Sequence, residues 1–116
     1  MTTYQGGCHR GKIRYEINAD FDSVMSCNCS ICQKRGYLLA FVPQVQFKLL
    51  TGSDSLQDYQ FNKMNVHHLF CKNCGIASFG QGTAPDGKPM CAINVRCLDG
   101  IDLAKFSVKY VDGRSF

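Results

Sequence analysis

The sequence lacks the features that mark membrane, secreted and helical proteins. No stretch approaches the roughly 18 consecutive apolar residues of a membrane-spanning helix, and the first residues contain no basic segment followed by an apolar run. No helical period of 3.6 residues persists along the chain, which argues against a helical bundle. We therefore expect a cytoplasmic protein without membrane contact and with little helix.

The sequence also has little charge of one sign and no linker. Its net charge is +4, only 19% of its residues are charged, and the densest basic cluster is Lys34-Arg35. Nucleic-acid binding requires a larger basic patch, so nucleic acid is not an expected partner. Low-complexity segments are absent, and 116 residues is a typical length for one core. We predict a single domain that covers residues 1–116.

Short runs that alternate between apolar and polar residues predict a mostly β protein. Residues 12–17 alternate most clearly, with Ile13, Tyr15 and Ile17 on one side of the strand. Further strands are predicted in residues 37–42, 45–49, 59–61, 91–97 and 106–110, and one helical turn in residues 33–36. Residues 80–89 are predicted to be a loop, because they are rich in glycine and proline.

The eight cysteines are the most informative residues. In a reducing compartment, closely spaced cysteines bind metal or perform redox chemistry more often than they form disulfides. Cys27, Cys29 and Cys32 lie within six consecutive positions. In an extended segment the side chains of Cys27 and Cys29 face the same side, and Cys32 arrives through a turn. This spacing predicts a zinc site with three thiolate ligands.

A zinc ion held by three thiolates has one coordination position left. Water or a substrate atom at that position makes the site catalytic, whereas a fourth protein ligand makes it structural. Because sulfur donates charge to the metal, such a site suits a substrate thiolate better than water activation. We therefore predict thiol chemistry at this site.

A second metal-binding motif consists of Cys71 and Cys74, which frame a Cys-x-x-Cys turn followed by glycine. The glycine permits the positive φ that closes such a turn. The residues leave two sources for the missing ligands. Either Cys8 joins the turn, or Cys29 and Cys32 complete a single four-thiolate zinc ribbon. The ribbon describes a non-catalytic structural zinc module for binding protein or nucleic acid.

Two further cysteines, Cys91 and Cys97, lie on an apolar strand face. Free cysteine packs as a small hydrophobic residue, so both are predicted to belong to the core. Either one is also a candidate for a missing fourth zinc ligand.

Taken together, the motifs resemble the glutathione-dependent formaldehyde-activating enzyme family, which includes centromere protein V. The resemblance is carried by Gly7-Cys8-His9, residues 27–32 with Lys34, His67-His68, residues 70–75, residues 93–99 and residues 112–115. These motifs span nearly the whole chain and are more specific together than any one Cys-x-x-Cys. The resemblance implies a β-tent-like fold of small coiled β-sheets with zinc-binding cysteine turns.

The resemblance assigns the six clustered cysteines to two zinc sites. The structural site takes Cys8, Cys71 and Cys74, and the catalytic site takes Cys27, Cys29 and Cys32. The family has a second early cysteine where this chain has Arg10, whose protonated guanidinium is not a ligand. His9 faces the other side of an extended strand, so we do not expect it to replace that cysteine. One or two zinc ions per chain are expected.

The activity that the resemblance implies is the addition of glutathione to formaldehyde, which is carbon–sulfur lyase chemistry run in reverse. The expected partner is a small thiol such as glutathione, and the product is S-hydroxymethylglutathione. His68 is implied to be a pocket residue, with a hydrogen-bonded structural histidine as the alternative. Asn94 and Arg96 either contact an anionic substrate or form a solvent-facing side of their strand.

Overall fold

The computed structural model describes residues 2–61 and 66–113. Within these residues, ten strands form three sheets, and one six-residue α-helix follows the third strand. In chain order the elements are β1 (Thr2–Gly7), β2 (Arg14–Ala19), β3 (Ser23–Cys27), α1 (Ser30–Arg35), β4 (Leu39–Pro43), β5 (Phe47–Thr51), β6 (Leu56–Tyr59), β7 (His68–Cys71), β8 (Phe79–Thr83), β9 (Pro89–Asn94) and β10 (Ser107–Val111). The prediction of a mostly β protein with small sheets is confirmed.

The strands divide into sheets of three, five and two strands. The first has the order β1-β2-β5 and the second the order β10-β3-β4-β9-β8, while β6 pairs with β7. All named pairs are antiparallel except β10 with β3, which run in the same direction. This parallel pair matters for function, because both strands end at the same edge of the sheet.

The core is centred on the strand that alternates most clearly in the sequence. Ile13, Tyr15 and Ile17 are completely buried, as predicted. The Tyr15 hydroxyl donates a hydrogen bond of 3.0 Å to the backbone oxygen of Ser78, which satisfies the one polar group of that side chain. Its ring packs on Phe47 and Phe79. Full burial of each such side chain contributes about 1.5–3 kcal/mol to stability, so this strand anchors the first sheet on the second.

The prediction of a loop over residues 80–89 is correct only for residues 84–88 and is wrong for residues 80–83 and 89, which belong to strands. Strand β8 extends to Thr83 and β9 begins at Pro89, so the turn between them is short. Glycine is tolerated in β8 because β8 pairs with β9 through backbone hydrogen bonds, which need no side chain. At Gly80 a Cβ would lie 3.0 Å from the backbone oxygen of His67. The missing side chain therefore permits His67 and Gln81 to exchange backbone hydrogen bonds of 2.7 and 3.0 Å.

The alternating pattern overestimates strand content elsewhere. Val45 lies in a 3₁₀ turn, Gln44–Gln46, and is 94% exposed, so its assignment to a strand is wrong. Val95 and Cys97 lie in a second 3₁₀ turn, Val95–Cys97, that follows β9. Strand β3 was not predicted from its sequence. The Arg114-Ser115 end of the last motif lies outside the described residues.

Among residues 2–61 and 66–113, no helix has the length and apolar character that crossing a membrane requires.

Candidate metal centres

The first thiol cluster, Cys27, Cys29 and Cys32, forms where β3 turns into α1. Cys27 is the last residue of the strand, Cys29 has an extended backbone with φ −63° and ψ 165°, and Cys32 lies in the helix. The three sulfurs all lie within 4.8 Å of one another. The strand-to-helix turn therefore brings together the three thiols that the spacing predicted.

Helix α1 ends directly after it has placed Cys32. The N–H of Gly36 donates to the backbone oxygen of Cys32 at 2.9 Å, and Gly36 has a φ of 68°. This left-handed conformation favours glycine and stops the helix. The helical turn predicted to end at this glycine is confirmed, although it begins earlier, at Ser30.

The surroundings of the first thiol cluster favour a thiolate at Cys29. Burial raises the pKa of Cys29, but the backbone N–H groups of Cys32 and Ile31 and the neighbouring thiols lower it to below its ordinary value. Burial raises the pKa of Cys32 well above its ordinary value, and the nearby Cys29 and Cys27 add to this effect. Crowded thiols of this kind ionise together only when a cation compensates their charge.

Gly113 closes the cluster from the end of the chain. Parallel pairing of β10 with β3 sets Val111 beside Cys27, and the N–H of Asn28 donates to the Val111 oxygen at 3.1 Å. Two residues later, a Cβ at Gly113 would overlap the Cys27 sulfur and lie 3.0 Å from the Cβ of Cys29. In the sequence, Gly113 is only one residue of a family motif. In the structure, its missing side chain leaves the space that the Cys27 sulfur occupies.

We expect Gly113→Ala to weaken metal binding at the first thiol cluster by at least about tenfold, the cost typical of disturbing the groups that hold metal ligands. The added methyl group displaces the Cys27 sulfur. Competition with a chromophoric chelator measures the affinity. Gly87→Ala, in the β8–β9 turn, is the control for general destabilisation, since its φ of 88° strains an alanine although a Cβ there meets no atom within 4 Å. An equal loss of affinity in both variants would show a general effect on stability instead.

A cavity of about 500 Å³ adjoins the first thiol cluster. Both Cys27 and Cys32 line it, and Tyr37, Arg96 and Tyr110 contribute to its walls. This volume lies within the roughly 300–1,000 Å³ range of ligand-binding cavities. Two of the three clustered cysteines therefore border a space that is large enough for a small molecule.

The two candidates for contacting an anionic substrate have different roles in the structure. Asn94 is used within the fold, since its side chain accepts from the Arg96 N–H at 3.3 Å and donates to the Ala77 oxygen at 3.0 Å. Arg96 is exposed and lines the cavity. Only Arg96 is placed to meet a ligand there.

The second thiol cluster, Cys8, Cys71 and Cys74, joins the β1–β2 hairpin to the end of β7. Its three sulfurs also lie within 4.8 Å of one another. The N–H of Ile13 donates to the Cys8 sulfur, and the N–H of Asn73 to the Cys71 sulfur, each at 3.4 Å. These contacts hold the two sulfurs in place beside the third, so both buried cysteines suit a metal site.

The Cys71–Cys74 turn closes as predicted. Gly75 has a φ of 77°, and its N–H donates to the Cys71 oxygen at 2.7 Å. Burial raises the pKa of Cys74, but the N–H groups of Ile76 and Arg10, together with the Cys71 and Cys8 thiols, lower it to about 7. This motif is therefore arranged around negatively charged sulfur.

Both clusters fit three of the four ligands of a zinc ion. Zinc–sulfur bonds of about 2.3 Å at tetrahedral angles place the sulfurs about 3.8 Å apart. This separation is compatible with the two clusters, in which all sulfurs lie within 4.8 Å of one another. Cys29 and Cys32 belong to one cluster and Cys71 and Cys74 to the other. The single four-thiolate ribbon is therefore not the arrangement of this chain. The two clusters could each hold a metal ion.

Comparison with known proteins agrees with this geometry. The family model described as glutathione-dependent formaldehyde-activating enzyme matches residues 3–110. This chain belongs to that family. The chain is also similar to the crystal structure of a Rhodobacter sphaeroides protein from a structural genomics programme. The identity is 26%, the match covers 90% of this chain and 99% of that one, and the TM-score is 0.78.

The two remaining cysteines of this family member differ in their surroundings. Cys91 is fully buried, and burial raises its pKa to about 11, so it is a core residue as predicted. Cys97 is half-buried, and its pKa is raised to about 11 by burial and by the charges of Cys8 and Cys74. Cys97 therefore lies near the second thiol cluster but not within it.

The adjacent histidines of this family member have separate partners. His67 Nδ1 lies 2.6 Å from an Asp58 carboxylate oxygen. His68 stacks on Phe61 with ring centroids 5.1 Å apart, and burial and the nearby Arg35 charge lower its pKa. His68 is not among the described residues that line the cavity beside the first thiol cluster. Its role as a pocket residue stays a prediction.

Proposed function

We propose that this family member is a zinc-dependent carbon–sulfur lyase-like enzyme that adds a small thiol such as glutathione to a small aldehyde such as formaldehyde. The observation that carries the proposal is the cavity, because Cys27 and Cys32 are among the residues that line it. A structural zinc site has no need of access from a cavity. Family membership supports the choice of glutathione and formaldehyde.

The donor set favours a thiol as the substrate. Zinc, when bound by three thiolates, supplies a soft positive charge that favours the thiolate form of a further sulfur ligand. The proposed ligands are Cys27, Cys29 and Cys32, and the missing side chain of Gly113 leaves the space that Cys27 and Cys29 occupy. The chain thus holds the substrate sulfur beside the cavity in its nucleophilic form.

The cavity walls contribute orientation and charge. Arg96 offers a guanidinium that suits the carboxylates of glutathione, since arginine binds such groups through paired hydrogen bonds. The buried Tyr37 forms another part of the wall, and its hydroxyl accepts a hydrogen bond of 2.6 Å from Arg35. Arg35 also stacks on the Phe70 ring, which fixes this wall relative to β7.

The proposed reaction is balanced without an oxidant. The substrate thiol loses its proton, and its sulfur forms a bond to the aldehyde carbon. The π electrons of the carbonyl move to oxygen, which takes up one proton. The product is a hemithioacetal, and the same steps in reverse release thiol and aldehyde.

The function is tested by exchange NMR with ¹³C-formaldehyde and glutathione, using zinc-loaded protein. We expect the exchange between free formaldehyde and S-hydroxymethylglutathione to be faster than in buffer containing the same zinc concentration. An exchange rate equal to that of the buffer, with the metal present, would contradict the lyase and favour the alternative of a non-catalytic structural zinc module.

The contribution of Arg96 is tested separately. We expect Arg96→Gln to raise the KM for glutathione by about tenfold or more, because a hydrogen bond to a charged group contributes about 1.5–3 kcal/mol. The KM for 2-mercaptoethanol, which has no carboxylate, should stay unchanged. Lys34→Gln is the control, since Lys34 lines a different cavity on the other side of α1. Equal effects on both thiols would refute carboxylate binding by Arg96.

A further inference from the structure

We propose that the second thiol cluster, Cys8, Cys71 and Cys74, is itself an open zinc site whose fourth ligand is a small thiol taken from solution in place of water. This inference concerns a different cluster from the proposed catalytic one and does not depend on the lyase activity. It follows from the number of ligands, the side of the cluster that faces solvent and the position of the nearest other thiol.

The second thiol cluster provides three ligands where zinc takes four. Among the described residues, no other histidine, cysteine, aspartate or glutamate brings a ligand atom within 4.8 Å of all three sulfurs. Arg10 lies in the hairpin turn after Cys8 but carries a guanidinium, which has no free electron pair to donate. The fourth donor therefore comes from solution or requires a rearrangement of the chain.

The cluster is open to solvent on one side. Cys8 and Cys71 are buried, whereas Cys74 is partly exposed, and the side chains of Arg10 and Lys72 beside it are exposed. Zinc with three thiolates carries a net charge of −1, and these two cations reduce the repulsion that an incoming thiolate meets. The exposed side of the cluster is thus accessible to a small anionic donor.

The alternative within the chain is Cys97, which the sequence offers as a fourth ligand but which is not among the residues whose ligand atoms lie within 4.8 Å of one another in this cluster. Its backbone is fixed, because Leu98 forms a β-bridge with Gly6 and donates to the Val95 oxygen at 3.2 Å. A Cβ at Gly6 would lie 2.6 Å from the Cys97 oxygen, so the two segments are packed without space between them. A shift of the Cys97 backbone toward the cluster would disrupt this packing.

Cobalt substitution provides a readout that is independent of activity. The intensity of the sulfur-to-cobalt charge-transfer band increases with the number of thiolate ligands. Wild type, Arg10→Cys and Cys97→Ser are loaded with Co²⁺ and titrated with 2-mercaptoethanol. The same three chains are also prepared with Cys27→Ser and Cys32→Ser, which removes two ligands of the first thiol cluster. If the chains with Cys27→Ser and Cys32→Ser do not fold, the difference between the charge-transfer spectra of Arg10→Cys and wild type reports the second thiol cluster alone.

We expect wild type to give a three-thiolate band that grows on addition of 2-mercaptoethanol. Arg10→Cys should give the stronger four-thiolate band from the start and should not respond to the added thiol at this cluster. Cys97→Ser should behave as wild type. A four-thiolate band in wild type that is lost in Cys97→Ser would overturn the proposal, as would a wild-type spectrum that the thiol leaves unchanged or an absence of cobalt at the second thiol cluster.

Discussion

Exhaustive chelation should abolish the cooperative thermal unfolding transition of this protein at neutral pH. The three sheets are small, and each thiol cluster joins residues from different elements of the fold. The first connects the end of β3 with α1 and Gly113, and the second connects the β1–β2 hairpin with the end of β7. Structural zinc contributes on the order of 10 kcal/mol in small domains, which is comparable to the whole stability of about 5–15 kcal/mol.

The measurement is differential scanning calorimetry of the loaded protein, the chelated protein and the chelated protein after zinc is added back. The Cys91→Ala variant is a suitable control, because it removes a buried thiol that belongs to neither cluster. It should lose some stability through its cavity but keep its response to the chelator. An unchanged transition after removal of all metal would show that the clusters do not hold the fold together.

The second large effect is expected for Cys27→Ser. This change should reduce the formation of S-hydroxymethylglutathione by at least about 100-fold, since disturbing only the groups that support metal ligands already costs about 10–100-fold. Serine has nearly the shape of cysteine and fits against Gly113, but its hydroxyl does not ionise at neutral pH to replace the thiolate. The rate by exchange NMR should fall to the level of the uncatalysed reaction.

The fold should survive this substitution, because the second thiol cluster is intact and Cys27 lies outside the buried core. Circular dichroism and the unfolding transition check this point. Cys91→Ala is again the control and should keep its activity. Full activity in Cys27→Ser would exclude the first thiol cluster as the place of reaction, whereas loss of both fold and activity would show that this cluster is structural.

The parts of the site that depend on short spacing were predictable from the sequence. Cys27, Cys29 and Cys32 are brought together by one strand-to-helix turn, so their grouping follows from local geometry. The turn at Cys71 and Cys74 was predictable for the same reason, including the positive φ of its glycine. Cys8 was different, because spacing alone could not decide between it and the ribbon arrangement. Family resemblance favoured Cys8, and the structure places its sulfur with the other two.

Features that depend on contacts between distant segments were not predictable from local pattern. Gly113 contacts the first thiol cluster only because β10 runs parallel to β3, a pairing that no local signal reveals. The glycines of β8 were predicted to interrupt regular structure. At Gly80, however, the missing side chain lets the backbone of His67 approach closely. Val45 shows the opposite error, a strand predicted where none exists. The alternating sequence pattern includes Val45, but in the structure this residue is exposed to solvent and lies outside the core.

The central claim is that this chain contains two separate thiolate metal sites, one of them beside a cavity. The most direct test is the number of zinc ions per chain, measured by mass spectrometry of metals in wild type, Cys27→Ser and Cys74→Ser. We predict two ions in wild type and one in each variant, with Cys74→Ser keeping the ion of the first thiol cluster. A single ion in wild type that either substitution removes would contradict two independent sites.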